Sequence, residues 1–265
     1  MKNLYKTFMV FFLATGFYQA QAQQKVVKDT VVLDSVIIKE SRSKNLPDVS
    51  GTSIFSGKKT NIIYADPGKA NLSGNIARTL FSQVPGINVW EMDGAGLQLN
   101  IGTRGTDMHR SIETNIRQNG YNTNSDMFGY PENHYNLPFQ AIGEIQYVRG
   151  AAALQFGSQF GGMVNFKIKE PDSTKAFSIE SEQTAGSNRF FNSYNAIGGK
   201  VGKISYYAYF STRSGDGWRP DAAFNYHAYY ANIKYQFNEK GSIAFQFSVG
   251  NTDFYVDNVS FYRNK

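Results

Sequence analysis

From about residue 175 onward, apolar and polar positions alternate with a period of two. Ile204, Tyr206, Ala208 and Phe210 fall on one side of a segment whose other side carries Ser205, Tyr207, Tyr209 and Ser211. Tyr229, Ala231, Ile233, Tyr235 and Phe237 repeat the pattern. So do Ile243, Phe245, Phe247 and Val249, set against Ser242, Ala244, Gln246 and Ser248. Such alternation predicts β-strands, because successive side chains of a strand point to opposite faces. Five are expected, over about 175–185, 189–199, 203–213, 224–237 and 241–253. Two connections are tight, around 199–203 and at Asn238-Glu239-Lys240-Gly241. The connection from Ser214 to Ala223 is longer and holds Gly215, Gly217, Trp218 and Pro220. Segments of about ten residues with one continuous apolar side, Tyr and Phe near their ends, and short turns alternating with longer ones suit an antiparallel transmembrane β-barrel. A soluble sandwich also alternates. Five strands do not close a barrel and leave two unpaired edges, so the expected barrel is incomplete.

The upstream pattern is different. Ile76, Leu80 and Val84 recur at i, i+4 and i+8 beside Ala77 and Phe81, which predicts a short helix with Ser73 as its N-cap and Pro85-Gly86 as its stop. Ile87 to Trp90 and Leu97 to Ile101 are strand-like and joined across Asp93-Gly94. Thr114 to Gln118 runs into Asn119-Gly120, a hairpin turn pair. Ile145 to Val148 and Met163 to Ile168 are further strands, with a helical turn at Ala151 to Leu154. These elements make a small mixed α/β domain over 58–171, followed by barrel strands over 172–265. Before them, Ser41 to Gly57 is polar and reads as linker. Asp29-Thr30-Val31-Val32-Leu33 and Asp34-Ser35-Val36-Ile37-Ile38 are two tandem pentads, each an acidic residue followed by mainly β-branched positions, within a segment 23–57. Residues 1–22 have the form of a secretory signal: Lys2 and Lys6, an apolar run from Phe8 to Phe17, and Ala20-Gln21-Ala22 as cleavage site. That run is too short to span a bilayer as a helix.

Composition narrows the chemistry. Cysteine is absent, so no disulfide supports an exported fold. The net charge is +6, but Lys and Arg are scattered without the basic stripe that a nucleic-acid partner requires. His109, His134 and His227 lack metal-ligand spacing, so no metal site is assigned. No Ser/His/Asp arrangement, phosphate loop or carboxylate pair stands out, and an enzyme is not expected.

Four landmarks stand in order: Val84-Pro85-Gly86-Ile87, Gly102-Thr103-Arg104-Gly105, Val148-Arg149-Gly150, and Phe156-Gly157 leading to Gly161-Gly162-Met163-Val164-Asn165. Over this stretch the chain resembles the plug domain of TonB-dependent outer-membrane receptors. The resemblance implies an α+β plug, a small mixed sheet with short helices, followed by antiparallel transmembrane β-barrel strands. Receptors of this family carry a barrel of about twenty-two strands, so 265 residues read as an N-terminal piece or a truncated product. The implied location is the outer membrane of a Gram-negative cell, with the plug facing the periplasm. The implied partners are the C-terminal domain of TonB, outer-membrane lipid and a small iron chelate; no cofactor is implied, the ferric chelate being the transported substrate.

The resemblance also distributes roles. Asp34, Ser35, Val36, Ile37 and Ile38 match the energy-coupling TonB box, with Asp29 to Leu33 as runner-up; such a peptide works by adding a strand to its partner's sheet. So few residues separate Gln23 from this box that no extra periplasmic signalling domain is expected. Arg104 and Arg149 match arginines that lock the plug to glutamates of the barrel wall, on strands expected beyond Lys265. Two stretches match outward-facing ligand loops. Thr106 to Arg110 offers Asp107, His109 and Arg110; Tyr121 to Tyr135 offers Tyr121, Asn122, Asn124, Tyr130, Asn133 and His134. The spacing from Arg104-Gly105 to Asn119-Gly120, and the Phe128-Gly129-Tyr130-Pro131 segment, are similar to ferric dicitrate receptors. Arginine suits carboxylates through its forked donors. Gln118-Asn119-Gly120-Tyr121 departs from the family's apolar-Asp-Gly-apolar turn. Receptors for another siderophore, cobalamin or an oligosaccharide are alternatives; a passive porin or a surface adhesin is one of a different class.

Overall fold

The computed structural model describes residues 45–50, 53–55, 60–91, 95–127, 130–157, 159–219, 222–238 and 241–254. The expected signal, both pentads and the chain after residue 254 lie outside them, as do Asp93-Gly94 and Phe128-Gly129.

The plug is built on a five-stranded mixed sheet. In chain order its first strands are β1 (Val49–Ser50), β2 (Ser53–Ile54), β3 (Thr60–Tyr64), β4 (Ile87–Val89) and β5 (Ile101–Thr103). Then come β6 (Asn115–Gln118), β7 (Tyr121–Asn122), β8 (Asn124–Met127), β9 (Tyr130–Asn133), β10 (Ile142–Val148) and β11 (Met163–Ile168). The sheet order is β3-β10-β11-β6-β7. All neighbours are antiparallel except β11 and β6, which are parallel. A parallel pair needs a long crossover. Here it runs from β6 through β7 to β10 and returns by the glycine-rich close before β11. Gly162 in that close has φ +87°, and a Cβ there would meet the Val148 carbonyl at 2.5 Å. Only glycine fits such a position.

One helix, α1 (Ala77–Phe81), packs on this sheet. Leu80 and Phe81 are fully buried, and the Phe81 ring meets Phe166 of β11 edge-on at 6.4 Å. Burial of each such side chain is worth about 1.5–3 kcal/mol. The expected apolar face is real, but the expected cap is not. The helix starts after Ile76 with no side-chain cap, and the Ser73 hydroxyl bonds to Asn71 instead. The cause is tertiary. Asn75 turns the chain at φ +55°, donates to the Gly96 and Leu137 carbonyls and accepts from the Phe139 N–H, so the helix begins only beyond it.

Two other expectations are corrected. The strand expected over Leu97 to Ile101 is instead Ile101–Thr103, paired with Ile87–Val89. Leu97 and Leu99 are buried, but that stretch goes to core contacts rather than a ladder. Part of the linker is folded: β1 and β2 form a hairpin, and Leu46 and Phe55 are buried with Ile62, Val148, Ala153 and Met163 in a second small core. Two apolar residues in a polar segment carry little periodicity, yet they suffice to cover the end of a sheet. The Asn119-Gly120 turn matches its expectation. Both residues have positive φ (49° and 88°), and β6 and β7 pair across it.

The remaining strands are β12 (Ser178–Ala185), β13 (Phe191–Val201), β14 (Ile204–Gly215), β15 (Phe224–Asn238) and β16 (Gly241–Phe254). They form one antiparallel meander in sequence order, an incomplete barrel wall. Its two faces differ as the alternation requires. Tyr194, Ala196, Tyr207, Tyr209, Tyr226, Ala228 and Tyr230 are buried in the same core as the plug residues. Ile197, Ile204, Phe210, Tyr229, Ile233, Ile243, Phe245 and Phe247 are exposed, Phe245 at 70 %. A contiguous apolar band of this size is unfavourable in water and suits a lipid-facing surface.

Candidate ligand site on the plug

The site grows from a constrained turn. After β5 the chain reverses at Arg104 and Gly105 (φ 54° and 85°) and enters a single 3-10 turn over His109–Ser111. Arg110 and Ser111 both adopt left-handed backbone (φ 49° and 52°). For non-glycine residues this conformation costs on the order of 1–3 kcal/mol each and persists only where neighbours enforce it. They do. The Ser111 hydroxyl accepts from the Ile101 N–H and donates to the Leu99 carbonyl, both at 2.9 Å. The Arg110 N–H donates to Asn100 Oδ1 at 2.8 Å. Asp107 Oδ1 accepts from the His109 N–H at 2.9 Å, and the His109 ring lies 6.3 Å from that of Trp90.

The Arg110 guanidinium, fixed in this way, meets a partner absent from the sequence-based candidates. It donates to Glu132 Oε2 at 2.7 Å, and His134 Nε2 approaches the same oxygen at 2.8 Å. The Arg110 hydrogen bond is the largest cause holding the Glu132 carboxyl below the usual carboxylate range. The Arg110 and His134 side chains are 39 % and 51 % exposed against 22 % for Glu132, so they form the outer layer. Arg110 Nε is buried without a partner among the described residues. Arg110 and His134, far apart in sequence, are thus brought together. Glu132 was missed because a lone acidic residue in a polar loop has no pattern; only the β8–β9 pairing carries it to Arg110.

The other candidates separate. Asn124 is used inside the plug, accepting from the Ile116 N–H at 2.7 Å and donating to the Thr114 carbonyl at 3.1 Å. Asn122 Oδ1 accepts from the Asn124 N–H. Tyr130 begins β9 opposite Met127. Asn133 is buried and accepts from the Tyr135 N–H. Tyr121 is 68 % exposed and opens onto a different cavity of about 620 Å³, shared with Asn119, Lys167, Lys234 and Gln246. Arg104 is exposed. Arg149 donates to Asn61 Oδ1 at 2.6 Å and lies over the Tyr147 ring at 5.2 Å. Among the described residues neither arginine forms an ion pair with a carboxylate. No three His, Cys, Asp or Glu side chains gather as a metal site among them either.

The plug meets the wall through a polar seam that the sequence did not reveal. Asn119 Nδ2 donates to the Tyr230 hydroxyl at 2.9 Å and to Gln246 Oε1 at 2.8 Å, while its Oδ1 accepts from the Ile168 N–H. The Tyr135 hydroxyl bonds to Ser248 at 2.7 Å, and the Tyr226 hydroxyl donates to the Asn136 carbonyl. Arg213 donates to the Gly96 carbonyl at 3.0 Å, and Lys169 pairs with Glu180 at 2.6 Å. An aspartate at position 119 would lack both donors, which gives the departure from the family turn a physical reason.

A two-part molecule of this kind, a mixed-sheet plug against the inner face of barrel strands, is the architecture of outer-membrane receptors. Residues 58–164 match the family described as "TonB-dependent Receptor Plug Domain", and the fold is similar to that of TonB-dependent receptors. Solved receptors share the fold. The siderophore receptor PirA from Pseudomonas aeruginosa matches at 19 % identity and TM-score 0.55, over 74 % of this chain and 36 % of its own. The ferric citrate transporter FecA, in the unliganded form, matches at 20 % and 0.53, over 74 % and 31 %. The pyoverdine outer-membrane receptor FpvA from Pseudomonas aeruginosa PAO1 matches at 17 % and 0.59, over 73 % and 27 %. The chain therefore spans about a third of the length of the receptors it matches. No curated protein matches it.

Proposed function

We propose that this protein is an energy-coupled outer-membrane receptor that imports an iron chelate, with ferric citrate as the substrate to test first. The observation that carries this reading is the plug packed against the tyrosine-rich inner face of strands whose outer face is apolar. A passive porin or an adhesin needs no such plug. The plug faces the periplasm. An anionic chelate fits Arg110 and His134, which offer donors on a rigid turn to a carboxylate-rich ligand. Asp107, His109 and Tyr130 complete the ligand side, and Arg104 and Arg149 lock the plug through wall glutamates. The segment Asp34 to Ile38 recruits the C-terminal domain of TonB by strand addition. The similar structures include receptors described for ferric citrate, for pyoverdine and for siderophores generally. A different siderophore is therefore the alternative substrate, and transport rather than catalysis is the activity in either case.

The test is uptake of radiolabelled iron by iron-starved cells that lack their own citrate receptor and produce this protein. Iron should enter from ferric citrate only while TonB is present. Equal uptake without TonB would sink the coupling; no uptake from citrate but uptake from another chelate would move the substrate. Residues 1–22 direct export on this reading, so the mature protein should begin at Gln23 on N-terminal sequencing.

A further inference from the structure

We infer that Glu132 is an internal anion that occupies and holds Arg110 in the unliganded plug and is exchanged for a carboxylate of the incoming chelate. The inference rests on the proposed anionic substrate and adds to it a residue that sets affinity. Glu132 has no role in the landmarks that identify the plug. Its position follows from the geometry alone: β9 carries it to the turn where Arg110 and Ser111 are both held left-handed.

The reasoning is electrostatic. A carboxylate at hydrogen-bond distance already satisfies Nη1 of Arg110, and the same oxygen receives His134. The Arg110–Glu132 pair carries no net charge, so a second anion approaching Arg110 meets a repelling carboxylate as well as an attracting cation. Direct binding to Nη1 therefore requires Glu132 to leave. The chemistry lost and gained is alike, one charge-assisted N–H···O bond for another. The exchange is thus nearly balanced, and the remaining groups of the ligand decide it. The backbone of Arg110 does not need to move. It is pinned from the other side by Asn100 and, through Ser111, by the carbonyl of Leu99 and the N–H of Ile101. The part released is the β8–β9 hairpin, which contacts the turn through this ion pair. Glu132 thereby sets a threshold: a ligand that offers one weak carboxylate does not displace it, while a polycarboxylate complex does. It also links occupancy of the site to freedom of the hairpin.

Three proteins test this in outer membranes of producing cells: wild type, Glu132→Gln and the double variant Glu132→Gln with Arg110→Ala. Titration with ferric citrate should give binding about fivefold or more tighter in Glu132→Gln than in wild type, or about 1 kcal/mol, and the double variant should lose that gain. Equal or weaker binding by Glu132→Gln would overturn the exchange and leave Glu132 as a residue that merely orients Arg110. Amide hydrogen exchange without ligand provides an independent arm. Amides of residues 132–134 should exchange several-fold faster in Glu132→Gln, while those of 108–111, β10 and β11 stay protected and report an intact fold. Unchanged exchange in the hairpin would refute the holding role. Failure of all three proteins to bind ferric citrate would refute the substrate and the exchange together, and the exchange rates would still decide whether Glu132 holds Arg110.

Discussion

Arg110 shows how much one side chain's meaning depends on its setting. In the chain it is one cation beside a histidine; in the fold it stands on an enforced left-handed turn with its charge offered outward. Arg110→Ala should weaken ferric citrate binding by about tenfold or more, since a hydrogen bond to a charged group is worth about 1.5–3 kcal/mol and ~1.4 kcal/mol is one decade. Arg110→Lys should recover only part, because a point charge replaces a planar fork. Titrations with ferric citrate and with a neutral ferric chelate check this: a loss of less than about 0.5 kcal/mol for citrate, the size expected of an ordinary surface residue, would remove Arg110 from the site. Asn119 acts at the same scale on a different contact. Asn119→Asp keeps the acceptor for the Ile168 N–H but replaces the donors to Tyr230 and Gln246 with an anion. It should loosen the plug against the wall by about 1–3 kcal/mol, the cost of unsatisfied polar partners. Faster amide exchange around residues 165–168 would show it, and unchanged exchange would mean the seam does not depend on this residue.

At the scale of elements, legibility followed periodicity. The strands β13 to β16 were readable because ten or more alternating positions reinforce one another, and α1 because three apolar residues recur at helical spacing. The hairpins β1–β2 and β8–β9 are too short to carry a pattern, and their partners alone specify them. The cap at Ser73 failed for the same reason: a capping residue is only a local preference, and the contacts of Asn75 override it. The segment Asp34 to Ile38 is an element whose effect is testable without its geometry. Val36→Pro should abolish energy-dependent uptake while chelate binding persists, because proline removes a ladder donor and fixes φ. Normal uptake by this variant would shift the coupling role to Asp29 to Leu33 or end it.

At the scale of the whole molecule, the decisive feature is the opposition of two faces on one sheet. Tyr209 and Tyr230 turn inward and stack at 5.3 Å, while Phe245 and Phe247 on β16 turn outward. If the outward band lies in lipid, Phe247→Lys near the middle of β16 should destabilise the membrane-inserted protein by about 2–4 kcal/mol, the depth-dependent cost of a lysine on a barrel's lipid face. Unfolding from lipid vesicles measures this, and a change near zero would place the band in water or against protein.

What the chain determined by itself is the set of features that repeat or that only one residue type permits. The period-two alternation, the apolar face of α1, the paired positive φ at Asn119-Gly120 and the glycine close ending in Gly161-Gly162 are all of this kind, and together they specify a plug followed by barrel strands. Each is local, so neighbours in sequence suffice to state it. The tertiary structure alone decided which residues meet: Glu132 against Arg110, Asn119 against Tyr230 and Gln246, Leu46 and Phe55 against Val148. These contacts join positions about twenty to more than a hundred residues apart. A single polar side chain carries its donors and acceptors in the sequence but not their partners, and it is the partner that turns a charge into a site.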